Sequence, residues 1–185
     1  MFNGIDQTLL REKIREAKLG VRAMNLHSPP EGAYWGKFND RPLDKAGVKG
    51  LVSDYHADVK NCTDKTAINM VLRKSWLADQ ENFETSAEGR RVEQLEEIIL
   101  TEEGAAVAKN DNLWMMGGNH RHQALLIYVE EKKKILSKKE KELKSMGEAS
   151  ATEDTESERS NLKREIVTES KKLELEHMWA VRLYD

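Results

Sequence analysis

Two adjacent glycines, Gly117 and Gly118, separate a short apolar run from a segment with helical periodicity. The run is Leu113 to Met116, and the helical pattern is clear from Ala124 onward. A strand that ends in glycines and turns at once into a helix leaves no Cβ atoms beside the first helical turn. The free N–H groups of such a turn, together with the positive end of the helix dipole, bind phosphate or carboxylate. The junction therefore predicts a strand–turn–helix unit with an anion-binding turn at its centre.

The three residues after the glycines, Asn119, His120 and Arg121, strengthen this prediction. Arg121 supplies a permanently charged planar fork that matches phosphate oxygens. His120 can exchange a proton near neutral pH, so it is the candidate acid–base residue. The alternative is a plain tight turn in which His120 makes a structural hydrogen bond and Arg121 is solvated.

The first 40 residues are expected to form a helix and a loop. Leu10, Ile14, Ala17 and Val21 recur at helical spacing, and the helix should end before Pro29. The next unit, residues 41–129 with 178–185, is expected to be the core domain. Its pattern predicts a helix capped by Asp44, and a strand over 67–72.

Within that core, residues 79–104 are polar with a short amphipathic run, which predicts a helical insertion. The stretch after it predicts a β-hairpin, with strands at 105–108 and 113–116 around a turn at 110–112. The last seven residues, 179–185, alternate in polarity and predict a strand that returns to the sheet.

Residues 130–177 differ sharply in composition from the core. Apolar residues recur there at intervals of four and seven, on both sides of a Ser/Thr/Glu-rich stretch at 147–160. The pattern predicts an arm of two antiparallel helices joined by a flexible loop. The fold class expected for the chain is α+β, a small mixed sheet with helices and a long helical-hairpin insertion.

The order of these elements, and several residues in them, resemble sulfiredoxin and the N-terminal domain of ParB. Arg41-Pro42-Leu43-Asp44 matches the Arg-Pro-Leu segment that leads to the first helix, and 117–121 matches the Gly-Gly-Cys-His-Arg turn. Residues 118–124 also satisfy the Gly-x-x-Arg-x-x-Ala box of ParB-type domains. The resemblance covers about 41–78, 105–129 and the terminal strand.

This resemblance implies a nucleoside triphosphate, ATP or CTP, as the ligand. The cofactor-binding residues it implies are Arg41, Gly117, Gly118, Asn119, His120 and Arg121. An acidic side chain such as Asp54 or Glu103 is the candidate for bringing Mg²⁺, and the function implied is a nucleotide- or phosphate-binding module of NTPase type.

Departures from the family pattern limit the function that the resemblance implies. Asn119 stands where sulfiredoxin has its reactive cysteine, and an amide cannot form a thiolate, so sulfinic acid reduction is excluded. The places of sulfiredoxin's nucleotide-binding lysine, serine and threonine hold Gly47, Gly50 and Asp54. The second hypothesis is therefore an inactive scaffold whose arm, 130–177, binds a protein partner or another copy of itself.

The bulk composition excludes several other classes. The net charge of −3 argues against a dedicated nucleic-acid coat, and the lysines of the arm alternate with glutamates, so direct nucleic-acid binding is not expected. The single cysteine, Cys62, rules out an internal disulfide and a multi-cysteine zinc site. His120 and His122 would diverge by roughly 200° on a helix, so no metal site is expected there. With no apolar run near the length of a membrane span, we expect an intracellular protein, cytoplasmic or nuclear.

Overall fold

The computed structural model describes residues 7–35, 42–111, 113–146 and 153–185. Arg41 and the predicted turn residue Asn112 lie outside these ranges. The helices are α1 (Gln7–Ala17), α2 (Lys45–Ala57), α3 (Glu102–Asp111), α4 (Asn119–Met146) and α5 (Glu153–His177). The strands are β1 (Lys18–Asn25), β2 (Ala33–Tyr34), β3 (Ile68–Val71), β4 (Leu113–Met115) and β5 (Met178–Tyr184). Single 3-10 turns lie at Lys74–Trp76 and Val92–Gln94.

The strands form one mixed sheet in the order β1-β5-β3-β4-β2. β5 runs antiparallel to β1 and parallel to β3, β3 runs antiparallel to β4, and β4 runs parallel to β2. The expected α+β class and the return of the terminal strand to the sheet are both confirmed. β5 lies inside the sheet, so its central side chains are almost fully buried, Trp179 and Val181 among them.

Helices α2 and α4 pack against each other. α2 contributes Val48, Val52 and Tyr55 to the core, and α4 contributes apolar side chains at Ala124, Leu125, Tyr128 and Val129. Asp44 caps α2 as predicted: its carboxylate accepts hydrogen bonds from the N–H groups of Ala46 and Gly47, at 3.1 and 3.0 Å. This packing holds the beginning of α4 beside the beginning of α2.

Helices α4 and α5 run antiparallel over residues 130–146 and 153–177. The Tyr128 hydroxyl donates to Glu176 at 2.7 Å, and further along the pair Lys139 contacts Glu165 and Glu169. Three apolar side chains are buried in this seam, namely Leu136, Ile166 and Leu173. The flexible loop expected at 147–160 is wrong for residues 153–160, which belong to α5, while residues 147–152 lie outside the described ranges.

Two predicted elements differ in the structure. Residues 105–108 are part of α3 and not a hairpin strand, because alanines favour helix and the Thr101 hydroxyl caps Gly104 N–H at 2.9 Å. Val21 lies in β1 and not on the first helix, because residues 18–25 pair with β5. The spacing of apolar residues alone could not show that 105–108 is helical or that Val21 is in a strand.

The segment 79–104 is also different from the predicted helical insertion. Its described backbone holds one 3-10 turn and the start of α3, and otherwise follows the outer edge of β1. Val21 N–H donates to the Glu84 carbonyl at 2.7 Å, and Ile98 N–H donates to the Ala23 carbonyl at 2.8 Å. The segment thus covers an edge strand that would otherwise expose unpaired backbone groups.

Candidate functional site

The Gly-Gly turn joins β4 to α4 and is held by the backbone of β3. Met116 N–H donates to the Asn69 carbonyl at 2.8 Å, just before the chain leaves the sheet. Gly118 has a φ of +83°, and a Cβ there would lie 2.9 Å from the side chain of Ile68. A Cβ at Gly117 would meet no atom within 4 Å. One glycine is therefore required by packing, while the other leaves open space in front of the turn.

The first turn of α4 has backbone donors without acceptors. His122 N–H donates to the Gly118 carbonyl at 2.8 Å, which is the first hydrogen bond of the helix. The N–H groups of Asn119, His120 and Arg121 precede it, and no residue in the described ranges accepts from them. α4 is 28 residues long, so the positive end of its dipole adds to these three donors.

His120 joins the beginnings of the two helices. Its Nε2 accepts a hydrogen bond from Asp44 N–H at 2.9 Å, while the Asp44 carboxylate caps α2. The ring therefore carries its proton on Nδ1 when neutral, with the Nε2 lone pair engaged. His120 acts here as a structural hydrogen-bond acceptor, and only Nδ1–H is left to face a ligand.

Arg121 is fixed by the loop that precedes β3. Its guanidinium donates to the Thr66 carbonyl at 3.1 Å and to the Lys65 carbonyl at 3.4 Å. The backbone carbonyl of Arg121 accepts from the Tyr55 hydroxyl at 3.5 Å. A guanidinium has five N–H donors, so several remain after these contacts.

Arg121 lines a cleft of about 340 Å³ beside α2. Its apolar wall comes from Leu51, Tyr55, Ala57 and Trp179, and its polar side chains are Asp54, Asp58, Lys60, Thr66 and Arg121. The pKa of the Tyr55 hydroxyl is raised, mainly by burial, so the hydroxyl is a hydrogen-bond donor at neutral pH. The cleft can therefore offer cationic, hydroxyl and carboxylate groups to one ligand.

The structure places two of the predicted site residues in one cleft. Arg121 and Asp54 line the cleft, whereas Gly117, Gly118, Asn119 and His120 precede Arg121 in the chain and are not among the lining residues. Glu103 lies on α3 and is not among the lining residues, and Arg41 falls outside the described ranges. In the part of the chain that the structure describes, no three His, Cys, Asp or Glu side chains are grouped to hold a metal ion.

Two contacts of the site could not be identified in advance. The partners of His120 and Arg121 lie 76 and 55 residues away along the chain, and one partner in each case is a backbone atom. A backbone atom leaves no signature in the residue type. The helical spacing of His120 and His122 did predict that their rings point apart. In the structure the His122 ring stacks on Trp35, with ring centroids 4.8 Å apart.

Comparison with protein-family models, with curated proteins and with solved structures found no match to this chain. Among the described residues, no helix has the length and apolar character that crossing a membrane requires.

Proposed function

We propose that this protein binds a phosphate-bearing ligand, a nucleoside triphosphate such as ATP or CTP, at the beginning of α4. One observation carries the proposal. Three consecutive backbone N–H groups, at Asn119, His120 and Arg121, lack acceptors among the described residues, and a Cβ at the preceding Gly117 would meet no atom within 4 Å. A helix start with free donors and no Cβ in front of it is an anion-binding arrangement.

Charge and position around the turn support the same ligand class. Arg121 is held by two carbonyls in an orientation that leaves other N–H groups for phosphate oxygens. Lys60 and Thr66 line the cleft that also contains the Arg121 side chain, and in this proposal the nucleoside occupies that cleft. In this proposal the domain is a relative of the ParB/sulfiredoxin type, and Asp54 or Asp58 is the carboxylate that would approach Mg²⁺.

The role of His120 in this proposal is binding and not proton transfer. Its Nε2 is engaged by Asp44 N–H, so Nδ1–H is the atom available to donate to a phosphate oxygen. An NTPase activity would need another base, and Asp54 and Asp58 are the carboxylates of the cleft.

Thermal unfolding with ATP, CTP, GTP and tripolyphosphate, with and without Mg²⁺, tests the proposal. Binding should stabilise the fold by about 2.7 kcal/mol at a hundredfold excess over Kd. Tripolyphosphate carries the anion without a base, so its effect separates phosphate recognition from nucleoside recognition. The absence of any response at millimolar concentration would overturn the proposal.

Gly117→Val is the sharpest variant for this site. The new side chain enters open space and should block the turn without a clash, so the affinity should fall by at least about tenfold. Ser137→Val is the control, because it adds the same side chain at an exposed position of α4 that lies about five helical turns from the Gly-Gly turn. Arg121→Ala should abolish binding, although it also removes the contacts to Lys65 and Thr66.

The second candidate function is a scaffold whose arm, 130–177, binds a partner protein or a second copy. Ile135 on α4 and Val167 on α5 are exposed by 41% and 48%, which favours a further contact of the arm. Ile135→Ser with Val167→Ser should then abolish partner binding or self-association by the arm. Unchanged light scattering and unchanged partner capture in that variant would argue against the scaffold.

A further inference from the structure

Helix α1 presents an apolar face that nothing in the described structure covers. Leu9, Leu10 and Ile14 are exposed by 52%, 45% and 50%. At about 100° per residue these three side chains lie within one arc of the helix surface. Lys13 falls in the same arc, where its long stem can lie along apolar surface with its charge at the edge. An amphipathic helix of this kind is stable only when its apolar face is packed.

The two flanks of that face carry opposite charges. Glu12 and Glu16, four residues apart, follow one flank, and Arg11 and Arg15 follow the other. Within the described ranges none of these four side chains has an ion-pair partner. α1 therefore needs a partner surface that is apolar in the middle, basic on one side and acidic on the other.

Such a surface exists between α2 and α4. It is a groove of about 370 Å³, referred to below as the α2–α4 groove. Val48 and Val52 form its floor, and Leu43 and Ile127 stand at its sides with 47% and 44% exposure. Exposed leucine and isoleucine side chains around a concave apolar floor mark a binding groove for an apolar side of another helix.

The two rims of the groove carry charges opposite to those on the two flanks of α1. Lys45 and Lys49, four residues apart, lie along the α2 rim, and neither forms an ion pair within the described part of the chain. Glu131 lies on the α4 rim, where it contacts His56 at 2.8 Å. The spacing of Lys45 and Lys49 equals that of Glu12 and Glu16, and the acidic rim matches the arginine flank.

We propose that α1 of one copy of this chain docks in the α2–α4 groove of a second copy. Leu9, Leu10 and Ile14 enter the groove, while Glu12 and Glu16 face Lys45 and Lys49. The lengths are comparable, since the eight helical steps from Gln123 to Glu131 rise about 12 Å and α1 is about 16 Å long.

A reciprocal exchange makes the contact large enough to be stable. One short helix in one groove buries less than the roughly 1,200 Å² typical of a stable interface. When each copy gives its α1 to the other, the contact occurs twice around a two-fold axis. The occupant is therefore a second copy of this chain and not an unrelated helix.

Charge reversal tests the pairing directly, with size-exclusion chromatography and light scattering on the full chain. The wild type should be a dimer, whereas Lys45→Glu with Lys49→Glu should weaken the dimer by at least about tenfold, because Glu12 and Glu16 then face like charges. Glu12→Lys with Glu16→Lys should have the same effect. The matched control is Lys134→Glu with Lys138→Glu, an exposed pair of the same spacing on α4, which should leave the dimer intact.

Mixing the two reversed chains gives the decisive result. In a mixed dimer both grooves meet an α1 of opposite charge, so the mixture should recover the wild-type dimer although each chain alone is monomeric. Ile14→Asp should also give a monomer, and an unchanged circular dichroism spectrum of the core would show that it still folds. A monomeric wild type at 0.1 mM or so, a dimer unaffected by both reversals, or a failure of the mixture to recover would each overturn the proposal.

Discussion

At the scale of residues, the adjacent glycines of the turn have different surroundings. Gly118 has a positive φ and lies against Ile68, whereas Gly117 has neither constraint. Gly118→Ala should therefore lower the free energy of unfolding by about 2 kcal/mol, through backbone strain and overpacking. Gly117→Ala should change it by less than about 0.5 kcal/mol. Urea unfolding followed by circular dichroism measures both, and equal losses would contradict this account of the turn.

His177 predicts a dependence of stability on pH. Burial is the main cause that lowers its pKa to about 4, and His27, stacked on its ring at 4.7 Å, adds to it. In the unfolded chain a histidine titrates near about 6.5. Between these two values the unfolded state binds a proton that the folded state does not, so the free energy of unfolding falls as the pH drops from about 6.5 to about 4. Above about pH 6.5 the ring is neutral in both states, and His177 no longer makes the free energy of unfolding depend on pH.

The comparison of wild type with His177→Gln isolates this effect. Carboxylates titrate in the same range, so the urea midpoints of the two proteins should be compared at pH 7, 5.5 and 4.5 or thereabouts. The midpoint of the variant should fall less steeply than that of the wild type. Parallel curves would show that His177 does not carry the dependence.

Residue type predicted the local contacts of the candidate site but not the distant ones. The cap at Asp44 could be predicted because an N-cap bonds to N–H groups two and three residues away. The contact between Asp44 N–H and His120 could not, since it joins residues 76 apart through a backbone atom. The anion-binding turn itself remains a prediction, because only a ligand-binding measurement tests it.

At the scale of elements, the cap of α2 supports the candidate site as well as its own helix. Asp44→Ala should lower the free energy of unfolding by about 1 kcal/mol, because two N–H groups at the start of α2 lose their acceptor. Asp44→Ser should restore most of that loss. Urea unfolding provides the measurement, and equal stabilities of the alanine and serine variants would contradict the role of the cap.

The seam between α4 and α5 contains a buried polar contact with a measurable contribution. Tyr128 donates to Glu176, which is only 7% exposed, so Tyr128→Phe leaves a buried carboxylate without this donor. The free energy of unfolding should fall by about 2 kcal/mol. Tyr34→Phe is the control, since Tyr34 is 45% exposed and its loss should be small. Similar losses in both variants would argue against the buried contact.

Elements with strong, local signals were predicted well. The cap of α2, the strand at β3 and the return of β5 follow from side-chain patterns that each element carries in itself. Residues 105–108 were predicted wrongly because a run of small apolar residues fits either a strand or a buried helix. The segment 79–101 has no period, because its backbone pairs with β1 at scattered points and not along a ladder.

At the scale of the whole molecule, the tip of the arm should be separable from the fold. Lys139 contacts Glu165 across the seam at 2.7 Å, and the buried Leu136 and Ile166 lie on the domain side of this ion pair or beside it. Replacing residues 142–162 by a short Gly/Ser linker should therefore change the free energy of unfolding by less than about 1 kcal/mol. Urea unfolding measures this, and loss of a cooperative transition would contradict it.

Removing the whole arm, 130–177, is the contrasting experiment. It deletes the buried Leu136, Ile166 and Leu173, and it joins α4 directly to β5, an interior strand of the sheet. We expect no cooperative unfolding in that variant. Point substitutions are therefore the appropriate test of whether the arm binds a partner.

The position of β5 has a consequence for how the chain is made. β1 and β3 do not pair with each other; both pair with β5, which is translated after every other strand of the sheet. While the ribosome is still adding the arm, the nascent chain carries two strands whose inner edges lack their partner, and such edges are templates for aggregation. Insertion of Met178–Tyr184 closes both edges in a single step. Dependence on chaperones should therefore be greatest during translation of α4 and α5, and should end when the last strand emerges.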